Sequence, residues 1–302
     1  MTRGNPKVTI ILPTYNWSAV LPFSIGSALG QTFEDFELIV VGDGCTDDSG
    51  EVVAAVGDQR VRWMNLPSNS GHQSTPNNAA LREARGDLIA YLGHDDLWLP
   101  HHLACLVATI DAGADMAFGL VRMVPSSHEL QRSTLVEEYR PGMWIAPTAA
   151  VHRRALIERM GGWRDYRGLS LDPEAELWTR FHTAGAEIRP ARRLTAIKFP
   201  ASVRRGVYRE RPSHEQAEWL ARIRREPDLE PMELATIAVD MAVAAREPTF
   251  GALVGQVLRR GVGGVGRRLA PRRLEPAPGQ AVDQRRAWKG LAPAPSIPGG
   301  EA

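Results

Sequence analysis

Four strand-like runs separated by helical stretches constrain this chain most. Val8–Leu12 is a continuous apolar, largely β-branched run that stops at Pro13. Phe36–Val41 is a second, closed by Gly42-Asp43-Gly44. Val61–Leu66 is a third, and Asp87–Leu92 a fourth that runs into His94-Asp95-Asp96. Unbroken runs of four to eight such residues suit strands buried on both faces. Helical patterns lie between them, over about 19–31, Asp47–Val56 with Asp47 or Ser49 as cap, and Thr75–Ala84 before Gly86. Strands alternating with helices of this length predict βαβ units and a mostly parallel α/β sheet flanked by helices, of Rossmann-like type.

After about residue 115 the pattern is less regular. Ala114–Val124, Ile145–Val151 and Leu194–Phe199 read as strands. Arg153–Met160, stopped by Gly161-Gly162, and Glu174–Ala184 read as helices. Ser213 and Gln216 have capping-box spacing, predicting a helix to Glu226, and the alanine-rich stretch Glu233–Arg246 predicts another. Three parts follow: a domain over 1–210 (halves of about 1–115 and 116–210), a helical extension over 211–250, and a tail over 251–302 expected to be largely disordered. The tail holds eight Arg and one Lys against three acids, and six prolines fall between Pro271 and Pro298.

Charge matters here because its total conceals that division. The formal net charge is +1, from 36 basic and 35 acidic residues. A bulk balance so near zero excludes a dedicated nucleic-acid binder. The sum joins an acidic body to a basic arm. In that arm Leu253, Val257, Leu258, Val262, Val265 and Leu269 lie among Arg259, Arg260, Arg267 and Arg268, so 250–273 is a candidate amphipathic contact with an anionic membrane, with a disordered basic tail as the alternative. The apolar run at the N-terminus is too short for a secretory core, and no stretch reaches the length of a spanning helix. The expected location is cytoplasmic, with a peripheral position at the inner face of the plasma membrane as the alternative. Two cysteines, Cys45 and Cys105, suit a reducing compartment.

In open α/β sheets ligands sit beyond the carboxyl ends of the strands. Three such ends here carry polar residues: Pro13-Thr14-Tyr15-Asn16, Gly42-Asp43-Gly44, and His94-Asp95-Asp96. One such turn is ordinary turn chemistry; three on one sheet edge point to a site. Adjacent carboxylates such as Asp95-Asp96 repel unless a cation sits beside them, and Mg²⁺ or Mn²⁺ bound through one or two carboxylates plus phosphate oxygens is the functional reading. The plain alternative makes Asp96 the cap of a helix starting near Pro100.

Those residues carry a resemblance. The strand running into PTYN, then QTFEDFELIVVGDGCTD, NSG and ARGDLIAYLGHDDLWLP resemble a family 2 glycosyltransferase of the GT-A fold, nearly continuously over residues 7–100. The resemblance implies an inverting, metal-dependent transfer of a hexosyl-type sugar from a nucleoside-diphosphate sugar to the hydroxyl of a glycan or lipid-linked glycan acceptor, as in cell-surface polysaccharide biosynthesis. It places Pro13, Thr14, Tyr15 and Asn16 at the nucleotide pocket, Asp43 facing the nucleoside, Asp95 on the metal and Asp96 assisting. Four positions depart from the family pattern: Gly42 and Gly93 replace acids, Cys45 replaces serine and Pro76 replaces arginine.

The family's base follows a Gly-Gly-aromatic turn, here Gly161-Gly162-Trp163, before LDPEAELWTR. Alignment on Leu177-Trp178 puts Glu174 at the base position, with Asp172 as the alternative. The plain reading makes Asp172 an N-cap, Pro173 the first helical residue and Glu174 a favourable charge at a helix start. Lys198, Arg204, Arg205 and Tyr208 are candidates to close on the diphosphate, or a solvated basic loop. His101 and His102 are metal-proximal or surface histidines, and Trp144, Pro147 and Thr148 lie on the acceptor side. Two rivals remain: a catalytically silent nucleotide-sugar-binding protein, motivated by the lost acids, and a nucleotidyltransferase, which lacks its Gly-rich basic loop here.

Overall fold

The computed structural model describes residues 4–124, 131, 134–211, 213, 215–246, 279–288, 290 and 291. Eight strands form one sheet in the order β3-β2-β1-β4-β7-β6-β8-β5. They are β1 Val8–Thr14, β2 Phe36–Gly42, β3 Val61–Asn65, β4 Leu88–Tyr91, β5 Leu97–Trp98, β6 Met116–Met123, β7 Ala150–Arg153 and β8 Ile188–Lys198. Helices α1 Leu21–Leu29, α2 Ser49–Ala54 and α3 Ser74–Glu83 connect the first four strands. Further along come α4 His102–Asp111, α5 Arg154–Met160 and α6 Pro173–Thr183. The last four are α7 Val207–Glu210, α8 Gln216–Arg225, α9 Leu229–Arg246 and α10 Gln280–Trp288.

β1 to β4 are parallel as the run pattern predicts. The other half is mixed: β7 is antiparallel to both β4 and β6, β6 and β8 are parallel, and β5 is antiparallel to β8. Successive residues of the central strands face opposite layers. Ile10, Leu12, Leu38 and Val40 pack with Leu21, Ile25 and Leu106. Ile11, Ile39, Val41 and Tyr91 pack with Ala80, Leu177, Trp178 and Phe181 on the other face. Each such side chain contributes roughly 1.5–3 kcal/mol on burial.

The chain leaves β1 on one side to reach β2 and returns past β1 to β4. The β1/β4 boundary is therefore the switch point at which α/β sheets hold ligands. Pairing between them ends at Ile11 and Tyr91, with Leu92 N donating to the Ile11 carbonyl at 2.9 Å.

The helical extension closes the far edge. Trp219, Leu220, Ile223 and Leu229 pack on Leu97, Leu99 and Phe199. The Ser213 capping box does not form: Glu215 is the N-cap of α8, without a side-chain bond, and the Gln216 amide instead reaches the Asp95 carbonyl at 3.3 Å. Within the stretch expected to lack order, residues 280–288 are helical. The amphipathic candidate over 250–273 lies outside the described residues. Among the described residues no helix is long and apolar enough to cross a membrane.

Candidate active site

The ends of β1, β2, β4 and β8, the start of α6 and one side of α10 enclose a cavity of about 480 Å³. Pro13, Thr14, Tyr15, Asp43, Asp95, Asp96, Asp172 and Glu174 all line it. Asn16 does not join them. Its backbone takes a positive φ of 48°, and its side-chain oxygen accepts from Thr46 N at 2.7 Å while its amide donates to Thr46 Oγ1 at 3.1 Å. Asn16 thus staples the β1 end to the loop after β2. Cys45 shares that task, accepting from Asn16 N at 3.3 Å.

Asp43 is 5% exposed and is gripped by the loop before α3. Ser70 N donates to it at 3.0 Å, Gly71 N at 3.3 Å and Asn69 Nδ2 at 3.0 Å. Burial pushes its carboxyl up against the pull of these donors. The neighbouring Gly42 has no room for the family's acid. A Cβ there would come within 2.7 Å of Trp63 Cη2 and would also collide with the Asn65 side chain.

Asp95 and Asp96 have different surroundings. Asp96 is fully buried, and its two oxygens accept from Lys198 Nζ at 2.8 Å and Phe199 N at 3.2 Å. It caps no helix; it is the partner of Lys198. Burial alone would lower the lysine's proton affinity, but the adjacent Asp96 and nearby Asp95 outweigh this and hold the ammonium above the usual lysine range. Gly93 serves this pair: a Cβ there would lie 2.5 Å from Asp96 Oδ2. Asp95 is half-buried on the cavity wall.

Among the described residues no group of three or more His, Cys, Asp or Glu could hold a metal ion. The donor set nevertheless fits a hard divalent ion of the kind that takes one protein carboxylate and completes its shell with phosphate oxygens and water. Asp95, on the cavity wall, is the candidate for that carboxylate, while Asp96 accepts from Lys198. His101 and His102 do not line the cavity. His102 is fully buried and stacked on Trp98 at 4.1 Å, and burial drives its proton affinity down to about 3. His101 faces the Leu194 carbonyl at 3.1 Å and Glu230. His102 is not a surface histidine, and His101 is half-buried.

The α6 start is held by long-range contacts. Asn78 of α3 clasps Trp163, donating to its carbonyl at 2.8 Å and accepting from its N–H at 2.9 Å. Trp163 Nε1 in turn donates to Tyr91 Oη at 3.1 Å. Arg180 binds the carbonyls of Met160, Gly161 and Gly162, and pairs with Glu176. Glu176 therefore acts in the scaffold. Asp172 is the N-cap by position but makes no side-chain cap bond; its carboxylate is forked by Arg285 of α10, Nη1 lying 2.9 Å from Oδ2. Glu174 accepts from Trp144 Nε1 at 2.8 Å. Burial first, and then the negative charge of Asp172, push its carboxyl above the ordinary glutamate range. A half-buried carboxyl with raised proton affinity in a cavity is a candidate general base.

The basic loop after β8 divides. Lys198 and Tyr208 reach the cavity. Arg204 instead donates to the Val124 carbonyl and pairs with Glu215, and Arg205 lies over the Trp288 ring. Trp144, Pro147 and Thr148 line the cavity as placed. Unforeseen from the residue pattern were Val282, Arg285, Arg286 and Leu291 on its wall. Their only local signal is the Arg-Arg pair in a Pro- and Gly-rich stretch. Also unforeseen was the aromatic nest of Trp17, His94 and Tyr208, with ring centroids 5.1–5.8 Å apart.

Comparison with known proteins fits this geometry. The family model described as Glycosyl transferase family 2 matches residues 9–158. A GalNAc(5)-diNAcBac-PP-undecaprenol beta-1,3-glucosyltransferase of Campylobacter jejuni is 32% identical over 119 residues, 38% of each chain. The chain spans only 13% to 58% of the length of other curated relatives it matches. In fold it is similar to S. aureus TarS 1–349 in complex with UDP-GlcNAc, with TM-score 0.55, 19% identity, and 81% and 74% of the two chains covered. It is likewise similar to the mannosyltransferase PcManGT of Pyrobaculum calidifontis in complex with GDP-Man and Mn²⁺, with TM-score 0.56, 19% identity, and 96% and 88% covered. The sheet order, the strand-end cavity and these matches together place the chain in glycosyltransferase family 2, with the GT-A fold.

Proposed function

We propose that this transferase moves a sugar, of hexosyl type, from a nucleoside-diphosphate sugar to an acceptor hydroxyl with inversion. The observation that carries the reading is one cavity whose wall holds Asp43, Asp95 and Glu174 together. The nucleoside lies at the β1 and β2 ends, against Pro13–Tyr15 and Asp43. Asp95 holds Mg²⁺ or Mn²⁺, as the Mn²⁺ in the PcManGT complex supports. When bound, that ion supplies positive charge for the departing diphosphate. Lys198, kept charged by Asp96, adds a fixed cation on the same wall.

Glu174 takes the proton of the acceptor hydroxyl as its oxygen forms the new bond to the anomeric carbon. The bond from that carbon to the diphosphate breaks with both electrons leaving on the phosphate oxygen. Trp144 holds the Glu174 carboxylate in place. Asp172, taken up by Arg285, is the weaker base candidate. The acceptor is a glycan or lipid-linked glycan of the polysaccharide-building type, in line with the undecaprenol-linked substrate in the name of the Campylobacter relative. A cytoplasmic or inner-face location suits such an acceptor.

The test is binding and slow hydrolysis of UDP-, GDP- and dTDP-sugars by the full chain with Mn²⁺. At least one donor binds in a metal-dependent manner, and Asp95→Ala abolishes that dependence. Unchanged binding in Asp95→Ala overturns the metal assignment. Binding with no turnover, for any donor and acceptor extract, supports a silent binder instead.

A further inference from the structure

Helix α10 lies more than 70 residues beyond every earlier part of the cavity wall, yet it is fastened across the opening at several points. Gly279 N donates to the Leu169 carbonyl at 2.9 Å, and Tyr166 Oη donates to Asp283 at 3.1 Å. At its other end Gly206 N donates to the Trp288 carbonyl at 2.9 Å, and the Arg205 guanidinium covers the Trp288 ring. In the middle Arg285 forks Asp172. The helix thus bridges the loop before α6 and the loop around α7. The cavity keeps its volume with α10 in place, so the helix is a wall of the cavity and does not fill it.

Charge gives the wall a purpose. Five carboxylates line the cavity: Asp43, Asp95, Asp96, Asp172 and Glu174. A diphosphate entering such a space meets strong repulsion unless cations offset it. Lys198, Arg285 and Arg286 are the Lys and Arg cations on the same wall, and Lys198 pairs with Asp96 and Arg285 with Asp172. Arg286 is only 6% exposed, and it too lines the cavity. It shares the cavity wall with Asp43 at the nucleoside end and with Asp95 and Tyr208. A guanidinium offers a planar fork of donors that matches phosphate oxygens.

We propose that α10 completes the donor site, with Arg286 binding the diphosphate of the nucleotide and Arg285 positioning the helix through Asp172. The proposal rests on the nucleotide-sugar reading given above. Arg286 touches the leaving group and so belongs to the binding machinery, whereas Arg285 acts through the helix.

The experiment compares UDP and GDP with their nucleosides, uridine and guanosine, in the presence of Mn²⁺. Full-length wild type, Arg286→Gln and Arg286→Lys are titrated by calorimetry for the diphosphates and by ligand-observed NMR for the nucleosides. Thermal melting confirms that each variant is folded. Arg286→Gln weakens the bound nucleoside diphosphate by about tenfold or more, leaves its nucleoside unchanged, and Arg286→Lys recovers part of the loss. Equal weakening of diphosphate and nucleoside shows α10 to be only a wall, and overturns the assignment. Unchanged diphosphate binding overturns it as well. If wild type binds neither UDP nor GDP, the donor reading itself fails and this proposal falls with it.

Discussion

Replacing Trp144 with phenylalanine isolates one bond to the proposed base. The indole Nε1–H donates to Glu174 at 2.8 Å, and this bond favours the ionised carboxylate. Phe keeps an aromatic ring in the half-buried slot and removes the donor. The groups acting on Glu174 are Asp172, which raises its proton affinity, and Arg285, which lowers it; Lys198 is a further charge within reach. A hydrogen bond to a charged group is worth about 1.5–3 kcal/mol, and water reaching a half-buried carboxylate returns part of that. A net loss of about 1.4 kcal/mol corresponds to a factor of ten. Losing the bond raises the proton affinity further, so the base stays protonated to higher pH. In Trp144→Phe the acid limb of the pH–rate profile for donor hydrolysis should therefore move upward, with the rate on that limb falling about tenfold and the plateau largely retained. An acid limb that coincides with that of wild type refutes control of the rate by Glu174 ionisation.

Three further predictions concern stability. Glu37 is 2% exposed and accepts from Thr9 Oγ1, Arg85 and Arg62; burial alone would push its carboxyl up, but these partners hold it below the ordinary range. Glu37→Ala should cost about 3 kcal/mol in urea unfolding, and a loss below about 1 kcal/mol contradicts the buried-pair argument. Gly42→Asp, which restores the family's acid, should destabilise by about 1–3 kcal/mol through overpacking against Trp63, and Trp63→Ala in the same chain should relieve much of that cost in a double-mutant cycle. Glu174 is raised in the folded state, so wild-type stability should fall as pH climbs from the ordinary glutamate value of about 4.3 through the raised one. Glu174→Gln removes that slope: it should melt above wild type at about pH 8 and level with it at about pH 4, and equal melting at both contradicts the assigned burial.

The parts of this fold that local pattern dictates were legible in the residues. Buried parallel strands announce themselves as apolar runs, and the polar residues at their ends mark Thr14, Asp43 and Asp95, which line the cavity. What escaped depends on contacts between distant segments. Lys198 meets Asp96 across 102 residues and Arg285 meets Asp172 across 113. No periodicity encodes either meeting. Asp172 has the residue type and position of a helix cap, yet the arginine of a remote helix takes its carboxylate instead. Gln216 has the spacing of a capping box, yet its amide turns to the Asp95 carbonyl. His101 and His102 read as polar surface, but the stacking of His102 on Trp98 buries it. β5 is only two residues long and exists because β8 offers it an edge. Asn16 carried the right motif for a nucleotide contact, while its positive φ and its bonds to Thr46 make it a loop staple.

The lost acids at 42 and 93 have a physical explanation in their neighbours. Trp63 and Asn65 occupy the space beside Gly42, and the Asp96 carboxylate held by Lys198 occupies the space beside Gly93. The site has thus exchanged carboxylates for a lysine pair and a tighter β2–β3 contact, while Asp43, Asp95 and Glu174 remain on the cavity wall.

Turnover by Glu174→Gln tests the central claim most directly. The full chain is given Mn²⁺ and the donor it binds best, and hydrolysis and transfer are measured for wild type and variant at saturating donor. If Glu174 is the base, the variant binds donor as wild type does and turns over about 10²–10⁴-fold more slowly. Turnover equal to that of wild type, with binding intact, would contradict the account.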